Sequence, residues 1–168
     1  MLVIPRILCF ITRGDDVLLL RGAPDKRLWA NRYNGIGGHL EPGEDVYSAA
    51  RREIREEAGI PITELRLRGV ITAASEDEPD VLIFVFTAQA LSRDVQASAE
   101  GQPVWVARDQ IDALDVVEDV PVILKWALEM KPDDPIFAAR SFRDERGNIR
   151  LKVFTAETTE SAHSPGGE

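Results

Sequence analysis

The sequence predicts a single α+β domain, on three observations. The chain has 168 residues, 44% hydrophobic and 29% charged, a composition with room for one globular core. Runs rich in β-branched and aromatic residues recur along it, two pairs of them joined by turn signals. Among them lies one segment, Asp45 to Ala58, whose apolar residues repeat at helical spacing. No internal repeat or linker divides residues 1–154, which read as one domain. Thr155 to Glu168 has no Val, Leu, Ile or aromatic residue and reads as a disordered tail.

The elements follow in order. Residues 2–12 and 17–21 are apolar runs around Gly14-Asp15-Asp16 and predict a hairpin. Arg21 to Arg32, with Gly22, Pro24, charges and Trp29, reads as a loop. Tyr33 to Leu40 carries Gly35, Gly37 and Gly38, so its backbone must bend or be approached closely. For the helix, Asp45 is a candidate N-cap and Gly59 a stop. Leu65–Ala74 and Val81–Leu91 read as strands around an acidic turn, Ser75 to Asp80, and Val104 to Val106 as a short strand. Pro121 can open a second helix that runs through Val122 to Met130. Ile136–Phe142 and Ile149–Phe154 flank Arg143 to Asn148 and predict a second hairpin.

Charge narrows the partners. Twenty Lys and Arg against 29 Asp and Glu leave a net charge of −9, which repels a nucleic-acid polymer. A small polyphosphate held through divalent metal ions remains compatible, because the metal reverses the local sign. No apolar run approaches the roughly 18 residues of a membrane span. The N-terminal stretch has no basic leader, and the one cysteine, Cys9, within an apolar strand, reads as a small core side chain. A reducing, cytoplasmic setting fits. The sequence carries no signal for an oligomeric state.

On a helical wheel, Tyr47, Ala50, Ile54 and Ala58 form the expected buried stripe. Arg51, Arg52 and Arg55 occupy a second sector, and Glu53, Glu56 and Glu57 a third. A solvated face would gain from opposite charges four apart, yet Glu53 lies over Glu57 and Arg51 over Arg55. Two carboxylates about 4 Å apart repel by roughly 4 kcal/mol at an effective dielectric near 20, so the cluster favours a cation. Oxygen-only ligands point to Mg²⁺ or Mn²⁺ rather than zinc. His39 reads as a loop side chain or a phosphate contact. The Gly-rich loop from Gly37 to Glu44 leads into the helix N-terminus, where N–H groups can meet anionic oxygens.

These residues carry a resemblance. Gly38, Glu44, Arg52, Glu53, Ile54, Glu56, Glu57, Gly59 and Ile60 match every fixed position of the Nudix box, which spans 38–60 here. The resemblance implies an α/β/α sandwich with a mixed β-sheet between helices, and a Mg²⁺-dependent hydrolase of nucleoside diphosphate linkages. It implies Glu53, Glu56 and Glu57 as metal ligands, with the Gly37 carbonyl completing a site. Glu53 or Glu57 would activate the attacking water, and Glu44 with Arg52 would brace loop against helix.

Two further stretches resemble the branch of the family that removes oxidised purine nucleotides. Tyr33-Asn34-Gly35-Ile36-Gly37-Gly38 is similar to its Trp-Asn-Gly-Phe-Gly-Gly, so Asn34 either contacts a base or satisfies a turn. Glu100 to Val106 is similar to a segment whose Glu is a further metal ligand, which makes Glu100 a ligand or an ordinary loop carboxylate. Val116-Val117-Glu118-Asp119 stands where that branch has Trp-Pro-Asp-Asp, so Glu118 and Asp119 either read a purine or simply open the next helix. The missing Trp leaves stacking to Trp29, Tyr33 or Trp126. The implied reaction is release of a monophosphate and pyrophosphate from 8-oxo-dGTP. The alternatives are ADP-ribose, a nucleotide sugar or a dinucleoside polyphosphate as substrate, or a non-catalytic nucleotide sensor.

Overall fold

The computed structural model describes residues 2–76, 78–154 and the backbone of 159–162. Its spine is β1 (Val3–Arg13), whose alternating side chains face opposite ways. Ile7, Cys9 and Ile11 enter one apolar cluster, and Leu8 and Phe10 the other. β1 turns at Gly14, which takes a positive φ of 59°, into β2 (Asp16–Gly22). Along its other edge β1 pairs in parallel with β6 (Asp80–Ala90), which is antiparallel to β5 (Ile62–Ala73). β5 pairs in parallel with β8 (Phe137–Arg143), and β8 turns back into β9 (Ile149–Phe154). The sheet is therefore mixed.

Four smaller strands complete it. β3 (Tyr33–Asn34) and β7 (Gly101–Ala107) pair with β2, and β4 (Ile36–His39) pairs with β1. β3 and β4 arise from the glycine-rich stretch that the sequence reads as a bend or a close approach, not as strands; glycines there let strands approach without side chains. β10 (Thr159–Ala162) pairs with β9 and lies within the stretch expected to be disordered. The remainder of that expectation, 155–158 and 163–168, falls outside the described residues.

Helix α1 (Val46–Glu57) covers the face of Ile7, Cys9 and Ile11, and α2 (Val120–Glu129) covers the opposite face. The α/β/α sandwich follows from β1 and β2 being apolar on both sides. Asp45 caps α1, accepting hydrogen bonds from the N–H groups of Tyr47 and Ser48 at 2.9 and 3.0 Å. Gly59 ends it at a φ of 63°. The buried stripe of α1 is Ala49, Ala50 and Ile54 together with Glu53 and Glu57. Tyr47, expected inside, stays 38% exposed, its ring edge-on to Phe86 at the rim. Cys9 is fully buried, and burial raises its thiol pKa far above the ordinary range. A 3₁₀ turn, Arg108–Ala113, follows β7. Among the described residues no helix is long and apolar enough to cross a membrane.

Gly69 stands opposite Phe137 in the β5–β8 ladder, and a Cβ there would run into the fully buried Phe137 ring. Gly69→Ala is expected to cost about 1–3 kcal/mol, as overpacking does. The check is a lowered urea midpoint at an unchanged m-value.

Candidate active site

The antiparallel register Leu8↔Gly37 and Ile7↔Gly38 holds β4 flat against the spine of the sheet. A Cβ on Gly37 would strike the Ile7 carbonyl, and one on Gly38 the Glu53 carboxylate. Only glycine lets main chain and acid helix come this close. The Gly37 N–H then donates to Glu57 Oε2 at 3.0 Å. Gly37 thus meets Glu57 through its N–H group, whereas the sequence reading assigned it a role through its carbonyl.

Arg52 ties the loop to the helix. Its Nε and Nη2 donate to the two oxygens of Glu44 at 2.9 and 2.8 Å, a fork on a carboxylate. Nη2 also donates to the His39 carbonyl at 3.0 Å, and Nη1 to Glu53 Oε1 at 2.7 Å. Arg52 therefore leaves the sector of exposed Arg51 and Arg55 and joins the acidic cluster. Its bond to Glu44 holds that carboxyl below the usual range.

The three glutamates differ sharply in environment. Glu57 is 4% and Glu53 8% exposed, whereas the side chain of Glu56 is 56% exposed, 3.4 Å from Arg52. Burial pushes the Glu57 carboxyl up to about 8, with Glu53 and Glu100 adding repulsion and the Gly37 N–H opposing. Burial also raises Glu53, although the Arg52 bond works against it. Two buried acids sharing one helix turn are poorly compensated by the chain's own donors.

A cleft of about 1070 Å³ opens from these carboxylates. Glu100 lines it, paired through Oε2 with Lys26 Nζ at 2.7 Å. Asn34, Glu118 and Asp119 line it as well. A main-chain zip sets this part of the wall: Tyr33 N–H donates to the Asp115 carbonyl, and Val117 N–H to the Tyr33 carbonyl, both at 2.9 Å. Arg32 fastens it by donating to Asp115 Oδ1 and the Val116 carbonyl at 3.1 and 2.8 Å. Asn34 lines the cleft, and its Oδ1 accepts from the Gly35 N–H at 2.8 Å, so its side-chain carbonyl serves the turn. Asp119 sits at the start of α2 without capping it; burial raises its carboxyl pKa, and the charge of Glu118 acts in the same direction.

Of the three aromatic residues considered for stacking, Trp29 lines the cleft, in a left-handed backbone conformation at φ 59°. Trp126 packs against Phe137 and Tyr33 against the core on the α2 side, and neither lines the cleft. His39 lies in β4 rather than in a loop, with Arg6 Nη2 3.1 Å from its Nε2. Sequence reasoning missed Lys26 and Arg32. Their partners lie more than seventy residues away, and no local spacing signals such pairs.

The donors at the head of the cleft are carboxylate oxygens with main-chain groups, a set suited to a hard divalent cation. Among the described residues no three acids are gathered into a ligand cluster. Each instead rests on a donor of the chain itself: Arg52 on Glu53 and Glu56, the Gly37 N–H on Glu57, Lys26 on Glu100. The burial of two carboxylates on one helix turn, which those donors offset only in part, is the observation that fits a metal.

A NUDIX domain family model matches residues 3–127, and the chain belongs to the Nudix family of hydrolases, whose members generally act with a divalent metal. It is 30% identical over 113 residues to the oxidized purine nucleoside triphosphate hydrolase of Mus musculus, covering 67% of this chain and 71% of that one. It is 32% identical over 124 residues to the nucleoside triphosphatase NudI of Enterobacter sp. (strain 638), covering 67% and 88%. The crystal structure of a MutT protein from Bacillus halodurans superposes with a TM-score of 0.71 over 88% of this chain and 97% of that one. At 22% identity that likeness concerns the fold alone.

Proposed function

We propose that the protein is a nucleoside triphosphate pyrophosphohydrolase that acts on an oxidised purine nucleotide, 8-oxo-dGTP, releasing the monophosphate and pyrophosphate. The observation that carries this reading is that one cleft is lined both by the acids of α1 and by Asn34, Glu118 and Asp119. Its volume suits a small-molecule ligand such as a nucleotide.

Mg²⁺, or Mn²⁺ in its place, would be held by Glu53, Glu56, Glu57 and Glu100 beside Gly37 and Gly38; when bound it neutralises phosphate charge and lowers the pKa of water. The chain's own residues do the rest. Glu57, or Glu53, takes the proton of the attacking water; burial raises both carboxyls above the ordinary range, in the direction a general base needs. Arg52, gripped by Glu44, keeps the Glu53 carboxylate in place beside Gly38, and the Gly37 N–H holds Glu57. Asn34 offers its amide group to a base edge. Oxidation at C8 turns the purine N7 from acceptor into N–H donor, and the carboxylate of Glu118 or Asp119 accepts from such a group. A protonated Asp119, favoured by its burial, can also donate to a purine oxygen. A reducing cytoplasmic nucleotide pool suits an enzyme with one buried, free cysteine. The partner is a small nucleotide, with neither nucleic-acid polymer nor membrane.

The test is kcat/KM with Mg²⁺ for 8-oxo-dGTP beside dGTP, ADP-ribose and a diadenosine polyphosphate. The expected preference for the oxidised triphosphate is about tenfold or more, equivalent to about 1.4 kcal/mol of transition-state discrimination. A flat profile, or preference for ADP-ribose, discards the base reading and leaves the hydrolase.

A further inference from the structure

The contact between Lys26 and Glu100 is built by the main chain. The β2–β7 register sets Gly22 against Gly101, so the chain leaving β2 runs beside the chain entering β7. A Cβ on Gly101 would strike the Arg21 carbonyl, so backbone meets backbone there. Ala23 N–H then donates to the Glu100 carbonyl at 3.0 Å, and Lys26 N–H to the Ala23 carbonyl at 3.1 Å. This turn delivers the Lys26 ammonium to Glu100 Oε2 at 2.7 Å, in the cleft that Glu53 and Glu57 also line.

Among the described residues Arg52 pairs with Glu44, Glu53 and Glu56 and Lys26 pairs with Glu100, and these two cations are held very differently. Arg52 is fixed by its fork on Glu44 and by the His39 carbonyl. Lys26 makes one ion pair, from a flexible stem with its side chain 31% exposed, and its partner Glu100 is 55% exposed. An ammonium and a divalent cation on one carboxylate repel each other, and the one held by a weak, part-exposed pair gives way.

We propose that Lys26 is an internal counter-cation of the metal site: its ammonium holds Glu100 when no divalent ion is bound, is displaced on loading, and so sets the metal affinity by competition. This rests on the reading of Glu100 as a metal ligand. The charge freed by loading stays tethered at the cleft, available to an anionic substrate.

The experiment is Mn²⁺ binding to the full chain without nucleotide, followed by the electron paramagnetic resonance signal of free Mn²⁺. Lys26→Met is expected to bind Mn²⁺ about three- to fivefold more tightly, the upper part of the range a part-exposed ion pair supports. Glu100→Gln is expected to weaken binding, and in that background Lys26→Met should have an effect smaller than twofold. Unchanged or weaker binding by Lys26→Met overturns the competition. A gain that persists undiminished in the double variant assigns the effect to net charge and overturns the pairing. Unaltered binding by Glu100→Gln removes Glu100 as a ligand, and the proposal with it. Failure of the wider reading shows separately, as equal Mn²⁺ binding by the wild-type protein and Glu57→Gln.

Discussion

Glu57→Gln is expected to lower the metal-dependent kcat by about 10³-fold, within the roughly 10²–10⁴-fold that a positioned base contributes. The substitution preserves shape and keeps an oxygen for the Gly37 N–H, so the protein should fold. Stability gives the independent readout. Without metal, the Glu57 carboxyl titrates at about 8 in the folded state against 4.5 for the ordinary group. Between those values the folded chain keeps a proton that the unfolded chain releases. Stability is therefore full below about pH 4.5 and falls as pH rises toward 8, by up to about 1.4 kcal/mol per pH unit. Thermal melts of the metal-free protein across this window should show the decline, and Glu57→Gln should flatten it. Mg²⁺ added at pH 8 should restore the Tm of the wild-type protein much more than that of the variant. A pH slope unchanged in Glu57→Gln would place the titration elsewhere, and full activity would remove Glu57 from the site.

Arg52→Gln has the second largest expected effect. It removes the fork on Glu44, the bond to the His39 carbonyl and the bond to Glu53, leaving two carboxylates without their main partner. Loss of a group that orients metal-binding side chains typically costs about 10–100-fold, and kcat should fall by that much. Arg52→Lys keeps the charge without the planar fork and should recover part of the loss. Because Arg52 acts through Glu53 and Glu44, the apparent Mg²⁺ affinity should fall together with kcat. A Tm drop with kcat and Mg²⁺ dependence intact would reduce Arg52 to a structural tie.

What the sequence displayed of this site is what local chain geometry dictates. The cap at Asp45, the stop at Gly59 and the carboxylates at spacings of three and four depend on residues within one or two turns. The glycines of 37–38 announced a close approach, though not that its object was Ile7 on one side and Glu53 on the other. The wheel failed where side-chain length and the shape of the neighbouring sheet decide. Arg52 reaches back eight residues to Glu44, Tyr47 stops at the rim of the sheet, and Glu56 and Glu57 part into solvent and interior. Longer-range features had no local signature. The parallel β1–β6 pairing joins Val3 to Asp80, and Lys26 meets Glu100 only because two distant strands share a register.

The zip between Tyr33 and residues 115–117 carries a consequence for how such an enzyme can change over generations. Every side chain that the proposed function assigns to the chemistry, except Glu100, lies within residues 44–57, one short block of sequence. The wall bearing Glu118 and Asp119 belongs to the α2 side of the sheet, attached through main-chain bonds, one arginine and the buried Val116 and Val117. Main-chain bonds survive most side-chain replacements, so Glu118 and Asp119 can be exchanged while the buried Val116 and Val117 and the backbone stay docked. On the proposed roles, a change of nucleotide preference can therefore proceed at one address in the gene while the block from 44 to 57, at another, is kept intact.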